Sequence, residues 1–147
     1  MTDVYLGLGS NLGDRHTLLL AAIEQLVQHV GRLVRCSSFI ETEPWGFASD
    51  HPFLNAVAWF QTNLTPRELL TTTQEIERNL GRKEKSISSA AVTDASASVP
   101  HYTDRPIDID ILLYGDQHIN EPDLKIPHPL MHERDFVMHP LNEIRNQ

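Results

Sequence analysis

In the stretch RPIDIDILLYGD, residues 105–116, two carboxylates alternate with isoleucines. Successive side chains of a β-strand point to opposite faces, so Ile107, Ile109 and Ile111 share one face and Asp108 and Asp110 the other. Carboxylates spaced this way lie roughly 6–7 Å apart along the strand. Hard oxygen ligands at that spacing suit divalent cations held between a protein and a polyphosphate. The pattern also fits a half-exposed strand whose outer face is simply acidic. Arg82 and Arg105 stand on either side of a long intervening segment, and His128 and Arg134 follow downstream. Each arginine taken alone is an ordinary solvated surface residue. An acidic pair framed by cationic donors is nevertheless what phosphoryl transfer requires, because charge in transit must be neutralised from several sides. The chain has no G-x-x-x-x-G-K-[ST] loop, so a nucleotide site here must be of another design.

A second constellation suits a flat ring. Trp45, Phe53 and Phe136 are aromatics near turns, and Asn55 shares a strand face with Phe53. Aromatic faces stack on planar heterocycles, and an asparagine amide pairs with an adjacent donor and acceptor on a ring edge. Plain core packing explains the same aromatics and is favoured for Trp59 and Phe60, which sit in a purely apolar run.

These residues need elements to position them. Val4 to Leu8 reads as a strand ending in the small-residue turn Gly9-Ser10-Asn11. Asp14 caps a helix whose Leu19, Ile23, Leu26 and Val30 share one face. A strand is expected from about Leu33 to Ile40, then irregular chain from Glu41 to Pro52, then a strand from Phe53 to Gln61. Thr65-Pro66-Arg67-Glu68 is a helix start with a capping box, and Gly81 is a natural stop for that helix. Residues 86–101 are small and polar without a period, which predicts a long mobile loop. After the acidic strand, Gln117 to Ile126 reads as a short hairpin. The order β-α-β-β-α-β predicts an α+β fold with helices packed on one face of a mostly antiparallel sheet, leaving the other face for a ligand.

Composition sets outer bounds. The 147 residues are 40% hydrophobic and 22% charged, the profile of one ordinary globular domain spanning 1–147. Cys36 is the only cysteine, and its neighbours Val34 and Phe39 mark it as a quiet strand residue. A net charge of −8 argues against a nucleic-acid surface but not against a small phosphorylated ligand held through metal ions. The N-terminus lacks a basic start and no apolar run reaches a membrane span, so a cytoplasmic, non-membrane protein is expected.

The motifs GLGSNLGD (7–14), ETEPWG (41–46), FLNAV (53–57), Gln74 with Glu77, GR (81–82), DRPIDIDILLYGD (104–116) and IPHPLMHERDFVMHPL (126–141) occur in order. Together they resemble the 6-hydroxymethyl-7,8-dihydropterin pyrophosphokinase family, over nearly the whole chain. The resemblance implies a ferredoxin-like sandwich and transfer of pyrophosphate from ATP to a pterin hydroxymethyl group, leaving AMP. It implies that Asp108 and Asp110 hold two Mg²⁺ ions against the ATP phosphates. Arg82 and Arg105 would contact the triphosphate as the loop between them closes. Gln74, Glu77, His128 and Arg134 would line the nucleotide side, and the backbone around Ile111 would face the adenine. Phe53 and Phe136 would sandwich the pterin, with Asn55 on its edge and Thr42, Pro44, Trp45 and Asn11 completing the pocket. No macromolecular partner is implied, and a monomer is expected.

The chain departs from the family where His101-Tyr102-Thr103-Asp104 replaces a Trp-Gly-Pro segment, after a longer serine- and alanine-rich stretch. It also ends soon after Leu141, where some relatives extend. Two other readings compete. A different metal-dependent phosphoryl or nucleotidyl transferase would use the same acidic strand but leaves Phe53, Asn55 and Phe136 unexplained. A ligand-sensing module would have no use for carboxylates framed by arginines.

Overall fold

A computed structural model of the protein describes residues 1–11, 14–42, 52–96, 107–129, 131 and 135–145, with backbone alone for 42, 82–96, 135 and 136. Alternating apolar residues build β1 (Thr2–Ser10), whose Val4, Leu6 and Leu8 are buried on one face. Asp14 caps α1 (Arg15–His29), its carboxylate accepting from Thr17 N at 3.1 Å. Then come β2 (Gly31–Cys36), β3 (Ile40–Thr42) and β4 (Phe53–Thr62). The capping box opens α2 (Pro66–Ser96): Thr65 N donates to Glu68 Oε1 at 2.8 Å and Glu68 N to Thr65 Oγ1 at 3.2 Å. The acidic strand is β5 (Asp108–Tyr114), followed by the hairpin β6 (Ile119–Glu121) and β7 (Leu124–Ile126), then α3 (Asp135–Arg145).

The main sheet runs β2-β4-β1-β5 with β3 added on β4, and the pairings among these strands are antiparallel. With helices after the first and fourth strands, this is the ferredoxin-like arrangement. The larger core lies between the sheet and the first two helices, joining Val4, Leu6, Leu8, Phe60, Ile109 and Ile111 to Leu19, Leu26, Leu69 and Ile76.

Four expectations are corrected. The small residues after Leu8 do not turn: β1 continues to Ser10, because Gly9 and Ser10 pair with Asn55 and Leu54 on β4. The expected strand from Leu33 to Ile40 divides into β2 and β3, with Ser37 stitched to Val57 between them. Gly81 does not stop α2, and residues 86–96 of the expected loop are helical. A nucleated helix gains one hydrogen bond per residue added, a single glycine costs only about 1 kcal/mol, and no proline intervenes between Pro66 and Pro100. Residues 97–101 of that loop lie outside the described residues. Finally, the second sheet face is left free only in part. The tail forms α3, whose Val137, Leu141 and Ile144 bury Val57 and Leu112 with Met131. Sequence reasoning assigned no element here, although an apolar repeat at helical spacing beyond residue 135 was its signal.

Candidate active site

The part of that second face beyond the α3 contacts gathers Phe53, Asn55, Asp108 and Asp110. Val57 and Trp59 of β4 pack toward α3, so Phe53 and Asn55, at the same alternation, lie on the same face. On β5, Ile109 and Ile111 enter the helix-side core, which turns Asp108 and Asp110 to this face as the alternation predicts. The strand between them is β1. Gly9 pairs with Asn55 on one side and Asp108 on the other, and Gly7 pairs with Val57 and Asp110. One strand therefore separates Asn55 from Asp108, a span of roughly 10 Å.

Glycines make that intervening strand a bare floor. A Cβ at Gly9 would stand 3.0 Å from Asn55 Oδ1 and 3.4 Å from Phe53 Cδ1. A side chain there would press on the groups that line the floor. Gly7 has more room, its nearest neighbour being Leu112 Cδ2 at 3.4 Å. Sequence reasoning took Gly9 for a turn residue and gave Gly7 no task. The signal was a Gly-x-Gly at strand spacing, which bares one face of a central strand.

Asn55 is buried, as are Ser10 and Asn11 where β1 ends, and Phe53, Asp108 and Asp110 are half-buried. Thr42 pairs with Phe53 across the β3–β4 ladder, which brings its backbone to the ring side. Phe136 falls in the first turn of α3, a helix seated on the same face. Pro44, Trp45, Arg105 and Arg134 lie outside the described residues.

Of the residues expected on the nucleotide side, Glu77 and His128 bond to the backbone of β5. Glu77, half-buried on α2, accepts a hydrogen bond from Ile109 N at 2.7 Å. Ile109 thus presents its backbone N–H away from β1, and Ile111, two residues on, faces the same edge. The Ile111 side chain is buried, so it is the backbone that this edge offers. Gln74 is exposed one turn before Glu77 on the same helix face, and Arg82 follows in α2. His128 is half-buried and its N–H donates to Leu112 O at 3.0 Å, tying residue 128 to the acidic strand. Glu77 therefore has a structural task that its place in the sequence did not reveal: it holds the strand bearing the carboxylates.

Among the described residues, no group of three or more His, Cys, Asp or Glu side chains converges as a metal cage. Two carboxylates on one strand face suit Mg²⁺, which keeps waters and takes its remaining ligands from phosphates. The donor set fits such an ion.

A family model described as "7,8-dihydro-6-hydroxymethylpterin-pyrophosphokinase (HPPK)" matches residues 5–146. The chain is 52% identical over 145 residues to the 2-amino-4-hydroxy-6-hydroxymethyldihydropteridine pyrophosphokinase of Porphyromonas gingivalis, covering 98% of this chain and 91% of that one. It is 42% identical over 144 residues to the protein of that name from Aquifex aeolicus, covering 98% and 81%. Its fold resembles the Plasmodium falciparum HPPK-DHPS crystal structure with a TM-score of 0.69 at 16% identity, covering 98% of this chain. The present chain spans 40% of the length of that solved chain.

Proposed function

This chain belongs to the 7,8-dihydro-6-hydroxymethylpterin-pyrophosphokinase family, and from that premise we infer that it pyrophosphorylates 6-hydroxymethyl-7,8-dihydropterin in folate synthesis. ATP donates an intact pyrophosphoryl group. The pterin hydroxymethyl oxygen attacks the β-phosphorus, the α–β bridging bond breaks, AMP leaves and the hydroxyl proton is released. The observation that carries this reading is the single-strand separation of Asn55 from Asp108 across Gly9. A ring edge read at Asn55 thereby brings its substituent toward phosphates held at Asp108 and Asp110.

Each residue then has a task. Phe53 and Phe136 stack on the two ring faces, with Asn55 on the edge and Asn11, Thr42, Pro44 and Trp45 around it. Asp108 and Asp110 hold Mg²⁺, two ions in our reading, which neutralise phosphate charge when bound. Arg82 and Arg105 stabilise the charge that develops on the transferring group and on the leaving AMP. The Ile111 backbone, Gln74, His128 and Arg134 hold the nucleotide. Glu77 contributes by fixing β5. We take the protein to act as a monomer. No helix among the described residues is long and apolar enough to cross a membrane, and we place the reaction in the cytoplasm.

The test is direct. Protein mixed with Mg·ATP and the hydroxymethyl dihydropterin should yield AMP and pterin diphosphate in equal amounts. ADP as the product, or AMP formed without any change in the pterin, would overturn the reading.

A further inference from the structure

Arg15 has no part in the chemistry above, yet it reaches the ring pocket from behind. It is the first residue of α1, directly after the Asp14 cap. Its Nη1 donates to Pro52 O at 2.9 Å, and its Nη2 pairs with Glu41 Oε2 at 2.6 Å. One guanidinium thus joins β3 to the residue that leads into β4, at the end of the ladder where Thr42 faces Phe53. The Pro52 carbonyl belongs to the same peptide plane as Phe53 N, so a hydrogen bond to it fixes the orientation from which the Phe53 side chain departs. Glu41 stands opposite Leu54, which packs toward the helix-side core. The grip therefore comes from the helix layer, on the opposite side of the sheet from Asn55.

We propose that Arg15 is a positioning residue for the ring pocket: it sets Phe53, and through it the stacking of a planar heterocycle, without touching that ligand. The proposal rests on the pterin reading given above. Side-chain exposures of 30% for Arg15 and 57% for Glu41 make the ion pair a weak contributor to global stability. Its value is geometric, since the planar fork holds two partners at once where a lysine ammonium would not. Binding that depends on ring placement is sensitive to displacements well below 1 Å.

Arg15→Ala should weaken pterin binding about three- to tenfold in calorimetry, with the affinity for a Mg·ATP analogue unchanged within about twofold. The thermal midpoint should move by no more than about 4 °C. Arg15→Lys should fall between wild type and alanine, because it keeps one charge and loses the fork. Equal weakening of both ligands, or no change in either, would overturn the proposal. A second measurement needs no ligand: in the free protein, Arg15→Ala should shift the amide resonances of Phe53 and Leu54 and leave those of β5 in place. An unmoved Phe53 amide overturns the clamp even if pterin binding changes. A wild-type protein that fails to bind pterin sinks the functional reading instead, while the amide shifts still decide the clamp.

Discussion

Asp108 and Asp110 are acidic residues on a strand that otherwise contributes aliphatics to the core, and like charges this close repel. Asp108→Asn or Asp110→Asn should accordingly leave the thermal midpoint equal or raised. On the proposed reading, turnover should drop on the order of a hundredfold or more, because each carboxylate would hold a metal ion facing the transferring group. Near-normal kcat at ordinary Mg²⁺ would show that the pair has another purpose. Two glycines two residues apart give a sharper contrast. Gly9→Ala sets a methyl 3.0 Å from Asn55 Oδ1, so the buried amide or the Phe53 ring must move, and pterin affinity should fall by about tenfold. Gly7→Ala meets Leu112 at 3.4 Å, ordinary contact, and should bind pterin nearly as wild type does. Titration of both variants with pterin compares them directly. Asp14 provides a pH signature. Hydrogen bonds from Thr17 hold its carboxyl below the usual carboxylate range. A depressed folded pKa gives stability that is present above the unfolded value and lost as pH falls through the folded one. Urea midpoints should thus decline from about pH 4 downward, and Asp14→Asn, which still caps but cannot ionise, should flatten that decline.

At the scale of elements, the acidic strand has an exposed edge that needs management. β5 ends the sheet order, and an unpaired edge invites wrong partners. Glu77 from α2 occupies part of that edge through Ile109 N, and His128 occupies another part through Leu112 O. The helix that carries Gln74 and Arg82 is thereby joined to the strand that carries the carboxylates. α3 performs a comparable service on the opposite side of the site. Its Leu141 is fully buried among Val57, Leu112 and Met131, and Ser38 N and Oγ donate to Glu143, tying α3 to the β2–β3 connection. Leu141→Ala should destabilise the protein by about 2–5 kcal/mol, read from denaturant midpoints. A loss under about 1 kcal/mol would mean that α3 is only loosely docked. The apolar repeat of this helix stood in the sequence unread, and its destination was not legible there at all. Nothing local to residues 135–145 says which sheet face they will cover.

Across the whole molecule, two cores share one sheet. The helix-side core and the α3-side core both draw on β1, β4 and β5, so neither can come apart without disturbing the strands that hold the other. A single cooperative transition is expected, with near-ultraviolet and far-ultraviolet signals coincident on heating. Separated midpoints would divide the chain into independent folding units. The same arrangement bears on where the proposed site lies. The first two helices pack on one face and α3 covers part of the other, and the proposed site is the glycine-floored remainder.

Much of this was determined locally. Alternation in β5 placed Asp108 and Asp110 together, the Thr65–Glu68 box started α2, and Asp14 capped α1, because each depends on residues within a few positions of one another. The ordered motifs carried the family for the same reason. Only the tertiary structure decided that Gly9 lies between Asn55 and Asp108, that Glu77 clasps Ile109, and that Arg15 holds Pro52 and Glu41. Those relations join residues far apart in the chain. They arise from strand order and register, which are set when whole apolar faces are buried together and not by any one segment's preference.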